Sequence, residues 1–294
     1  MSKRLIFFGT EDFSAASLQA LIDAEFDISA VVTKPDFTRG RSKQFVQPVV
    51  KKLAAKNDIS ILQPSKMSEI VEFVQKNGPF AGILVSYGRI IPQSLIELFE
   101  PGIINLHPSK LPRYRGPSPI EAAILHGDSE TALSIMQLTA KMDAGPVYTQ
   151  KIVRLTGSET KPELYEQLAN DGAALLVQTL PRILDGTLTP EPQNDSEATY
   201  CPLLTKEDGV LRPQEKTAPE LEREIRAYLG YPKSRTTLFD KYDVIVTKAS
   251  VASSLNDSPI TLACKDSTYL SIDELVAPSG RTMSASDFLR GYNV

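Results

Sequence analysis

The sequence is poor in the residue types that build metal sites and disulfide frameworks. Its 294 residues include two histidines, two cysteines and no tryptophan. Cys201 and Cys264 are far apart in the chain, so we expect neither a disulfide framework nor a metal-binding Cys-x-x-Cys motif. Two histidines and two distant cysteines do not make a His/Cys ligand set, and we therefore expect no bound metal.

Long hydrophobic runs and an excess of positive charge are also missing. No apolar run approaches the ~20 residues that a membrane-spanning helix needs. The opening stretch, MSKRLIFFGTEDF, lacks the apolar core and the small-residue cleavage site of a signal peptide. We expect a cytoplasmic protein without membrane contact. The net charge is −4 at pH 7, so any contact with a nucleic acid would need a local basic patch.

Three common catalytic and nucleotide-binding motifs are absent. The sequence contains no GxxxxGK[ST] phosphate loop, no GxGxxG after its first apolar run and no GxSxG motif. Energy coupling to a nucleotide, a standard dinucleotide site and an α/β-hydrolase nucleophile are therefore not expected.

The pattern that is present predicts an α/β fold. Residues 1–189 alternate short apolar runs with segments of helical periodicity, which favours a Rossmann-like, mostly parallel sheet. The predicted strands include RLIFFGT, ISAVVTK, AGILVSYG and GIINLHPS, and two more flank the turn KMDAGP. Predicted helices include SAASLQALIDAEF, PVVKKLAAKN and SKMSEIVEFVQKNG, the last with a Ser cap and a closing Gly.

A second domain is predicted after a proline-rich stretch. Residues 190–204 show little periodicity and read as a linker. Residues 205–294 begin with the helical segment APELEREIRAYLG and continue with short β-like pieces such as RTTLFD, YDVIVTKA and TYLSIDEL. This order favours a small C-terminal β-barrel of the OB type.

Asn105 and His107 are the leading candidates for chemistry. They lie two residues apart in a predicted strand, so their side chains leave the same face, and Pro108 keeps His107 extended. Ligands of an open α/β sheet bind beyond the carboxyl ends of its strands, which is where this pair lies. Asp143, in the turn KMDAGP, reaches a comparable place. An amide and an imidazole could stabilise an oxyanion while the carboxylate orients the ring and handles a proton.

Structural roles remain open for these residues on spacing alone. A histidine at a strand end often serves only to hold neighbouring backbone, and aspartate is common in turns. The residues by themselves therefore indicate an enzyme without naming its reaction.

The combination of INLHPS and KMDAG resembles the signature of the folate-dependent formyltransferases. The likeness continues through LPRYRGPSPIEAAILHGDSETALSIMQ, FFGTEDFSAASLQALI, VVTKPDFTRGRSKQF and SYGRIIP, and it covers nearly the whole chain. Within the family the sequence is most similar to members that formylate methionyl-tRNA. The basic loop after the second strand, the segment YCPLLTKEDG and the ending DELVAPSGRTMSASDFLRGY carry that likeness.

This resemblance implies transfer of a formyl group from 10-formyltetrahydrofolate, a co-substrate, to the α-amino group of methionine on initiator tRNA. It implies that Asn105 and His107 stabilise the oxyanion. Asp143 would set the charge of His107 and accept the amine proton. The folate-contacting residues that it implies are Ser109, Lys110, Leu111, Pro112, Tyr87 and Gly88.

The resemblance also implies a tRNA partner for an enzyme that we expect to be a monomer. The tRNA contacts that it implies are Arg39, Arg41 and Lys43, in the loop FTRGRSK. In the second domain a positive face could be formed by Lys233, Arg235, Lys241 and Lys248. Arg113 and Arg115 flank the site and would either meet phosphate or hold their own loop.

Two alternatives remain at this stage. The chain could formylate an amino-sugar nucleotide or another small amine, in which case deletion of the basic loop would leave activity intact. It could instead be a non-catalytic RNA-binding protein on the same scaffold, although the complete Asn-His-Asp set argues against that.

Overall fold

A computed structural model describes residues 3–39 and 44–293 of the chain. The chain divides into two compact units. The first contains Thr131–Val153, Tyr165–Cys201 and the described residues up to Pro117. The second contains Ser118–Glu130, Arg154–Leu164 and the described residues from Pro202 onward.

A seven-stranded sheet carries the first part of the chain. The described strands of this part are β1 Leu5–Gly9, β2 Ile28–Val32, β3 Phe37–Arg39, β4 Gln44–Val46, β5 Ser60–Leu62, β6 Phe80–Val85, β7 Phe99–His107, β8 Glu130–Gln137 and β9 Val147–Arg154. The sheet has the strand order β5-β2-β1-β6-β7-β8-β9. Strands β1, β2, β5, β6 and β7 pair in parallel, whereas β8 runs antiparallel to β7. The predicted mostly parallel α/β sheet is confirmed.

The central strands are buried because both of their faces are covered. All five residues of β1, LIFFG, are buried, and β6 is buried at five of its six positions. Continuous apolar runs of this kind are typical of parallel strands that are packed on both faces. Full burial of each large apolar side chain stabilises the fold by about 1.5–3 kcal/mol.

The helices begin and end close to the predicted positions. Their bounds are α1 Asp12–Asp23, α2 Val49–Lys56, α3 Ser68–Asn77, α4 Gln93–Ile96, α5 Pro119–His126 and α6 Lys161–Leu184. The predicted Ser cap of α3 is wrong. Met67 occupies the N-cap position, and Ser65 instead donates from its hydroxyl to Glu69 Oε1 at 2.5 Å. Gly78 follows α3 as its C-cap, as predicted.

The shortest strands were not predicted from the sequence. The basic loop after β2 was predicted without regular structure, but β3 and β4 form an antiparallel pair within it. Strand β5 extends the edge of the sheet beside β2. Strands of three residues are too short to show a hydrophobic period, which is the signal that sequence analysis depends on.

The second unit is built on antiparallel strands. Two helices and five strands follow the first sheet: α7 Ala218–Ala227, β10 Ser234–Leu238, β11 Tyr242–Ala252, β12 Thr261–Ala263, β13 Tyr269–Val276, β14 Thr282–Ser284 and α8 Ala285–Gly291. The strands form one five-stranded sheet in the order β10-β11-β13-β12, with β14 added beside β13. Leu221 and Ile225 of α7 and Phe288 of α8 share its apolar core. The prediction of a small β-barrel as the second domain is thus confirmed as a domain of antiparallel strands that form a half-barrel.

The bounds of the two compact units differ in detail from the predicted domain boundaries. Segments 118–130 and 154–164 group with the second unit, and α5 packs against α7 there. Boundaries at 189 and 205 stay a prediction.

Candidate active site

Asn105 and His107 lie at the carboxyl end of β7, in the middle of the sheet. Asn105 pairs with Leu84 of β6 on one side and with Met136 of β8 on the other, and His107 pairs with Ser134. Neighbouring strands on both sides hold the register, so the two side chains leave the same face of β7. Asn105 is 5% exposed and His107 is 6% exposed. Both polar groups are therefore held in a largely dry environment.

One ring nitrogen of His107 is held by the backbone. His107 Nε2 lies 2.9 Å from the carbonyl oxygen of Tyr114. A carbonyl oxygen only accepts, so Nε2 carries a hydrogen and donates it. His107 Nδ1 is therefore the nitrogen that remains for chemistry, and it lies 3.8 Å from Asp143 Oδ2.

Asp143 completes the group from a strained turn. Its φ angle of 46° is in the left-handed region, which aspartate tolerates better than most residues. Asp143 Oδ2 accepts a hydrogen bond from the backbone N–H of Gly116 at 2.8 Å. The segment 114–116 thus contacts both the imidazole and the carboxylate, and it was not predicted as part of the site.

The side-chain amide of Asn105, unlike the side chains of His107 and Asp143, is not held by a hydrogen bond to a described residue. Within residues 3–39 and 44–293, no group forms a hydrogen bond with it. Asn105 is nearly buried as a residue, and an amide that lacks an internal partner is left to bond to water or to a ligand. The structure thus brings together Asn105, His107 and Asp143, the three residues predicted to be catalytic.

The predicted folate segment is fixed by β8 and β9. Ser134 Oγ donates to the carbonyl of Ser109 at 2.6 Å, and Gln150 Nε2 donates to the carbonyl of Leu111 at 2.9 Å. Leu111 is buried, Pro112 is half-buried and Lys110 is exposed. Ser134 and Gln150 were missed because their link to this segment depends on strand pairing, for which the sequence holds no local signal.

The Tyr87–Gly88 pair is only partly available to a ligand. The Tyr87 ring packs edge-on against Phe8 with 5.7 Å between ring centroids, and the residue has no exposed surface. Burial raises the pKa of the Tyr87 phenol. Thr10 Oγ1 donates to the Tyr87 carbonyl at 3.0 Å. Gly88, with φ of 67°, is exposed and is the member of the pair that a folate could reach.

The predicted tRNA loop lies partly outside the described residues. Arg41 and Lys43 fall in that part, and only the backbone of Arg39 is described, at the end of β3. Asp36, the acid of this loop, pairs with Lys51 at 2.7 Å. Hydrogen bonds from Lys51 and Gln63 lower the pKa of Asp36. The negative charge of the loop is thus compensated from α2, which leaves its basic residues in excess.

The four basic residues that were predicted to form a positive face on the second domain differ in their hydrogen bonding. Arg235 donates to the carbonyl of Lys206, and Lys241 Nζ donates to that of Asn293 at 3.2 Å. For Lys233 and Lys248, the described part of the chain offers no side-chain partner. Both are exposed.

Lys248 borders a cavity of about 740 Å³ between α7, β11 and the loop before α6. Arg226 lies on the wall of the cavity and pairs with Glu222 at 2.6 Å. Arg223 also lines the cavity and donates from Nε to the carbonyl of Leu125 at 3.0 Å. Within the described ranges, the terminal nitrogens of Arg223 form no further hydrogen bond. None of the three residues predicted to be catalytic lines the cavity.

Within residues 3–39 and 44–293, no group of three or more His, Cys, Asp or Glu side chains is arranged to hold a metal ion. None of the described helices is long and apolar enough to cross a bilayer.

Two sequence profiles of one family match the chain. The formyl transferase profile matches residues 3–180, and that of the formyl transferase C-terminal domain matches residues 203–293. The chain belongs to the formyl transferase family.

Curated relatives of this family member extend over its whole length. The methionyl-tRNA formyltransferase of Halorhodospira halophila is 35% identical over 301 residues, covering 99% of this chain and 97% of that protein. The methionyl-tRNA formyltransferase of Myxococcus xanthus is 36% identical over 302 residues, covering 99% and 96%.

A solved structure shares the fold. The N-formyltransferase of Helicobacter canadensis, in complex with folinic acid and dTDP-3-aminofucose, superposes with a TM-score of 0.69. It is 19% identical, and the match covers 92% of this chain and 99% of that one. At this identity the likeness establishes the fold alone.

Proposed function

We propose that this chain transfers the formyl group of 10-formyltetrahydrofolate to the α-amino group of methionyl-tRNA, which yields the formylated initiator for translation. One observation carries the proposal. The Asn105 amide, which makes no hydrogen bond with the described residues, the His107 imidazole and the Asp143 carboxylate meet at the end of β7. They do so in a chain that is similar to methionyl-tRNA formyltransferases over nearly its full length.

The Asn105 amide supplies the first interaction. When the amine attacks the formyl carbon, the carbonyl oxygen becomes negative, and Asn105 Nδ2–H donates to it. A preorganised donor of this kind typically stabilises the transition state by about 2.7–4 kcal/mol. Because the amide has no competing acceptor among the described residues, it does not have to give up a bond to do so.

His107 acts through Nδ1, since Nε2 is occupied by the Tyr114 carbonyl. A protonated ring donates from Nδ1 to the oxyanion, whereas a neutral ring presents a lone pair there. Asp143 lies 3.8 Å from the same nitrogen and takes up the amine proton, directly or through water. The Gly116 N–H holds this carboxylate in place without consuming its second oxygen.

The steps balance as a single acyl transfer. A bond forms between the methionine nitrogen and the formyl carbon, and the bond from that carbon to N10 of the folate breaks. The proton lost by the amine is accepted at Asp143 and returned to N10 of the leaving tetrahydrofolate. No oxidant, reductant or nucleotide energy source is required.

The folate is assigned to the segment Ser109–Pro112 and to Gly88. Ser134 and Gln150 hold the backbone of that segment by hydrogen bonds to Ser109 and Leu111. A rigid segment of this kind can present backbone groups to a flat heterocycle. The side chain of Tyr87 acts only as the support of Gly88.

Contacts with tRNA are assigned to two basic regions. The first is the loop with Arg39, Arg41 and Lys43, whose acid is compensated by Lys51. The second is the exposed Lys248 with the neighbouring Arg223. Such residues position a nucleic acid through its phosphates and carry no sequence information themselves.

The domain assignment follows from these roles. Residues 1–189 form the formyltransferase domain, 190–204 the linker and 205–294 the tRNA-binding domain. We propose that the enzyme acts as a monomer. We also propose a cytoplasmic location, because the proposed substrate takes part in translation.

The decisive experiment is an acid-gel assay of methionyl-tRNA incubated with the protein and 10-formyltetrahydrofolate. Formyl-methionyl-tRNA should appear with the wild-type chain, and Asp143→Asn and His107→Ala should each reduce turnover by roughly 10²–10⁴-fold. Near-wild-type turnover of both variants would mean that the catalytic assignment is wrong. The alternative of an amino-sugar substrate has only the shared fold in its favour. It would be supported if a sugar nucleotide were formylated and methionyl-tRNA were not.

A further inference from the structure

The residues just before Pro202 run across the active site rather than away from it. The segment Gln193–Cys201, here called the strap, lies in the first unit. Arg115 N–H donates to the carbonyl of Thr199 at 2.9 Å, and Cys201 N–H donates to that of Arg115 at 2.9 Å. Tyr114 N–H donates to Thr199 Oγ1 at 2.9 Å. The strap thus pairs with the segment whose backbone contacts His107 and Asp143.

Gln193, the first residue of the strap, joins two parts of the site. Its Oε1 accepts hydrogen bonds from Arg115 Nε at 3.1 Å and from Nη2 at 2.8 Å. Its Nε2 donates to the carbonyls of Asp143 at 2.8 Å and Gly145 at 2.7 Å. A guanidinium only donates and a carbonyl only accepts, so the orientation of the amide is determined by chemistry. All four positions around this amide are therefore used.

Arg115 makes this connection rigid. It is 2% exposed, and a guanidinium buried to that extent needs acceptors for its donors. Asp195 accepts from its Nη2 at 2.7 Å, and Tyr200 Oη lies 3.3 Å from its Nη1. Burial by itself lowers the pKa of Arg115, but the hydrogen bonds and charges of Asp195 and Tyr200 together outweigh it, and the pKa is raised. Arg115 is thus committed to holding the loop and is not available for phosphate.

The distance between His107 and Asp143 depends on how two neighbouring backbone groups are held. His107 is oriented by the carbonyl of Tyr114, and the Asp143 carboxylate by the N–H of Gly116. Gln193 binds the backbone of Asp143 itself, at a left-handed φ that its surroundings must maintain. We propose that Gln193 is a positioning residue that fixes the Asp143 turn against segment 114–116 and so sets the approach of the carboxylate to His107.

The proposal rests on the proposed function for its kinetic test. Gln193→Ala removes all four hydrogen bonds. Gln193→Glu keeps the acceptor for Arg115 but replaces two donors with an oxygen that faces two carbonyl oxygens. We expect kcat to fall roughly 10- to 100-fold in both variants, because small misplacements of catalytic groups have effects of this size. The KM values for methionyl-tRNA and the folate donor should stay within about twofold, since Gln193 touches neither proposed binding segment.

Asn194→Ala provides the matched control. Asn194 is the next residue of the strap, and among the described residues it hydrogen-bonds only within the strap, to Ser196 and Glu197. Its replacement should loosen the strap locally and leave kcat within about twofold, since catalytic rates respond to the Asp143 turn. If kcat falls equally in Asn194→Ala, or if Gln193→Glu turns over at the wild-type rate, the positioning role is overturned.

A second readout does not need the substrates. The chain contains only two histidines, and His126 is tied to the carbonyl of Ala122 through Nδ1 at 2.8 Å. ¹⁵N-imidazole NMR of Gln193→Glu should show changed His107 signals and unchanged His126 signals. Unchanged His107 signals would overturn the proposal. Because this measurement uses the free protein, it distinguishes a failure of the positioning role from a failure of the proposed reaction.

Discussion

Replacement of Asn105 separates catalysis from stability more cleanly than any other change at the site. Asn105 is 5% exposed, yet its side-chain amide makes no hydrogen bond with the described residues. Asn105→Ala therefore removes an oxyanion donor without removing a native hydrogen bond. Asn105→Leu removes the same donor but keeps two heavy atoms on Cγ, so it leaves no cavity.

The two effects differ in size. Loss of one preorganised oxyanion donor is expected to lower kcat by roughly 10²–10³-fold, which corresponds to about 2.7–4 kcal/mol. The free energy of unfolding should change by only about 1 kcal/mol, the central value for single substitutions, because no buried partner is left unpaired. Asn105→Leu should show the same loss of kcat without opening a cavity, because its side chain is larger than that of asparagine.

The assay pairs single-turnover formylation with urea unfolding of the same preparations. Single-turnover rates with saturating folate donor report the chemical step, and unfolding reports stability. The reasoning would be refuted if either variant formylated methionyl-tRNA within threefold of the wild-type rate. It would also be refuted if the loss of rate followed the loss of stability across the two variants.

Three further predictions concern the loop, the second unit and the turn beside the catalytic carboxylate. Arg41→Gln should weaken tRNA-dependent kcat/KM and reduce its salt slope by about 1, with the folate KM unchanged, because it removes one phosphate contact. A large rise in the folate KM would contradict this. Burial raises the pKa of Glu224 despite its ion pair with Lys216. The stability that the protonated Glu224 carboxyl group contributes is therefore fully present below the ordinary pKa of 4.5. It is lost as the pH rises through the raised pKa of the folded state. The difference in the free energy of unfolding between Glu224→Gln and wild type, measured with urea, should therefore be more favourable to the variant at pH 8 than at pH 4. An equal difference at both pH values would contradict this prediction. Gly116→Ala would place a Cβ 2.3 Å from the carbonyl oxygen of Cys201, at a φ of 121°. It should lower the free energy of unfolding by at least about 1–3 kcal/mol together with kcat, and full activity would show that the turn is not required.

Some of the site could be predicted because its signals are local. Asn105 and His107 are two residues apart in an apolar strand, and Pro108 marks its end, so their shared face follows from strand geometry. Asp143 was predicted from a turn that follows another strand. These residues do converge, with His107 and Asp143 separated by 3.8 Å.

Other parts of the site depend on contacts between distant segments. Gln193 was predicted within a proline-rich linker, yet it contacts Arg115 and Asp143. Ser134 reaches the folate segment because β8 pairs antiparallel with β7, which places it opposite His107. Neither relationship has a local hydrophobic period or a motif, so sequence patterns do not reveal it.

The burial of Arg115 distinguishes between the two roles that the sequence suggested for it. Sequence alone left phosphate binding and loop support equally open, because an arginine in LPRYRG suits both. Its 2% exposure and its hydrogen bonds to Gln193 and Asp195 favour support. Pairing with neighbours distinguishes a structural cation from a binding one, and pairing is not visible in a sequence.

The central claim is that the formyl carbon passes from the folate to the methionine amine. The most direct test is a single-turnover reaction with 10-formyltetrahydrofolate labelled in the formyl carbon and methionyl-tRNA as acceptor. The account predicts that mass spectrometry recovers the label as N-formylmethionine esterified to tRNA, and that Asn105→Ala and Asp143→Asn strongly delay its appearance. Label that never reached methionine with the wild-type protein would contradict the account.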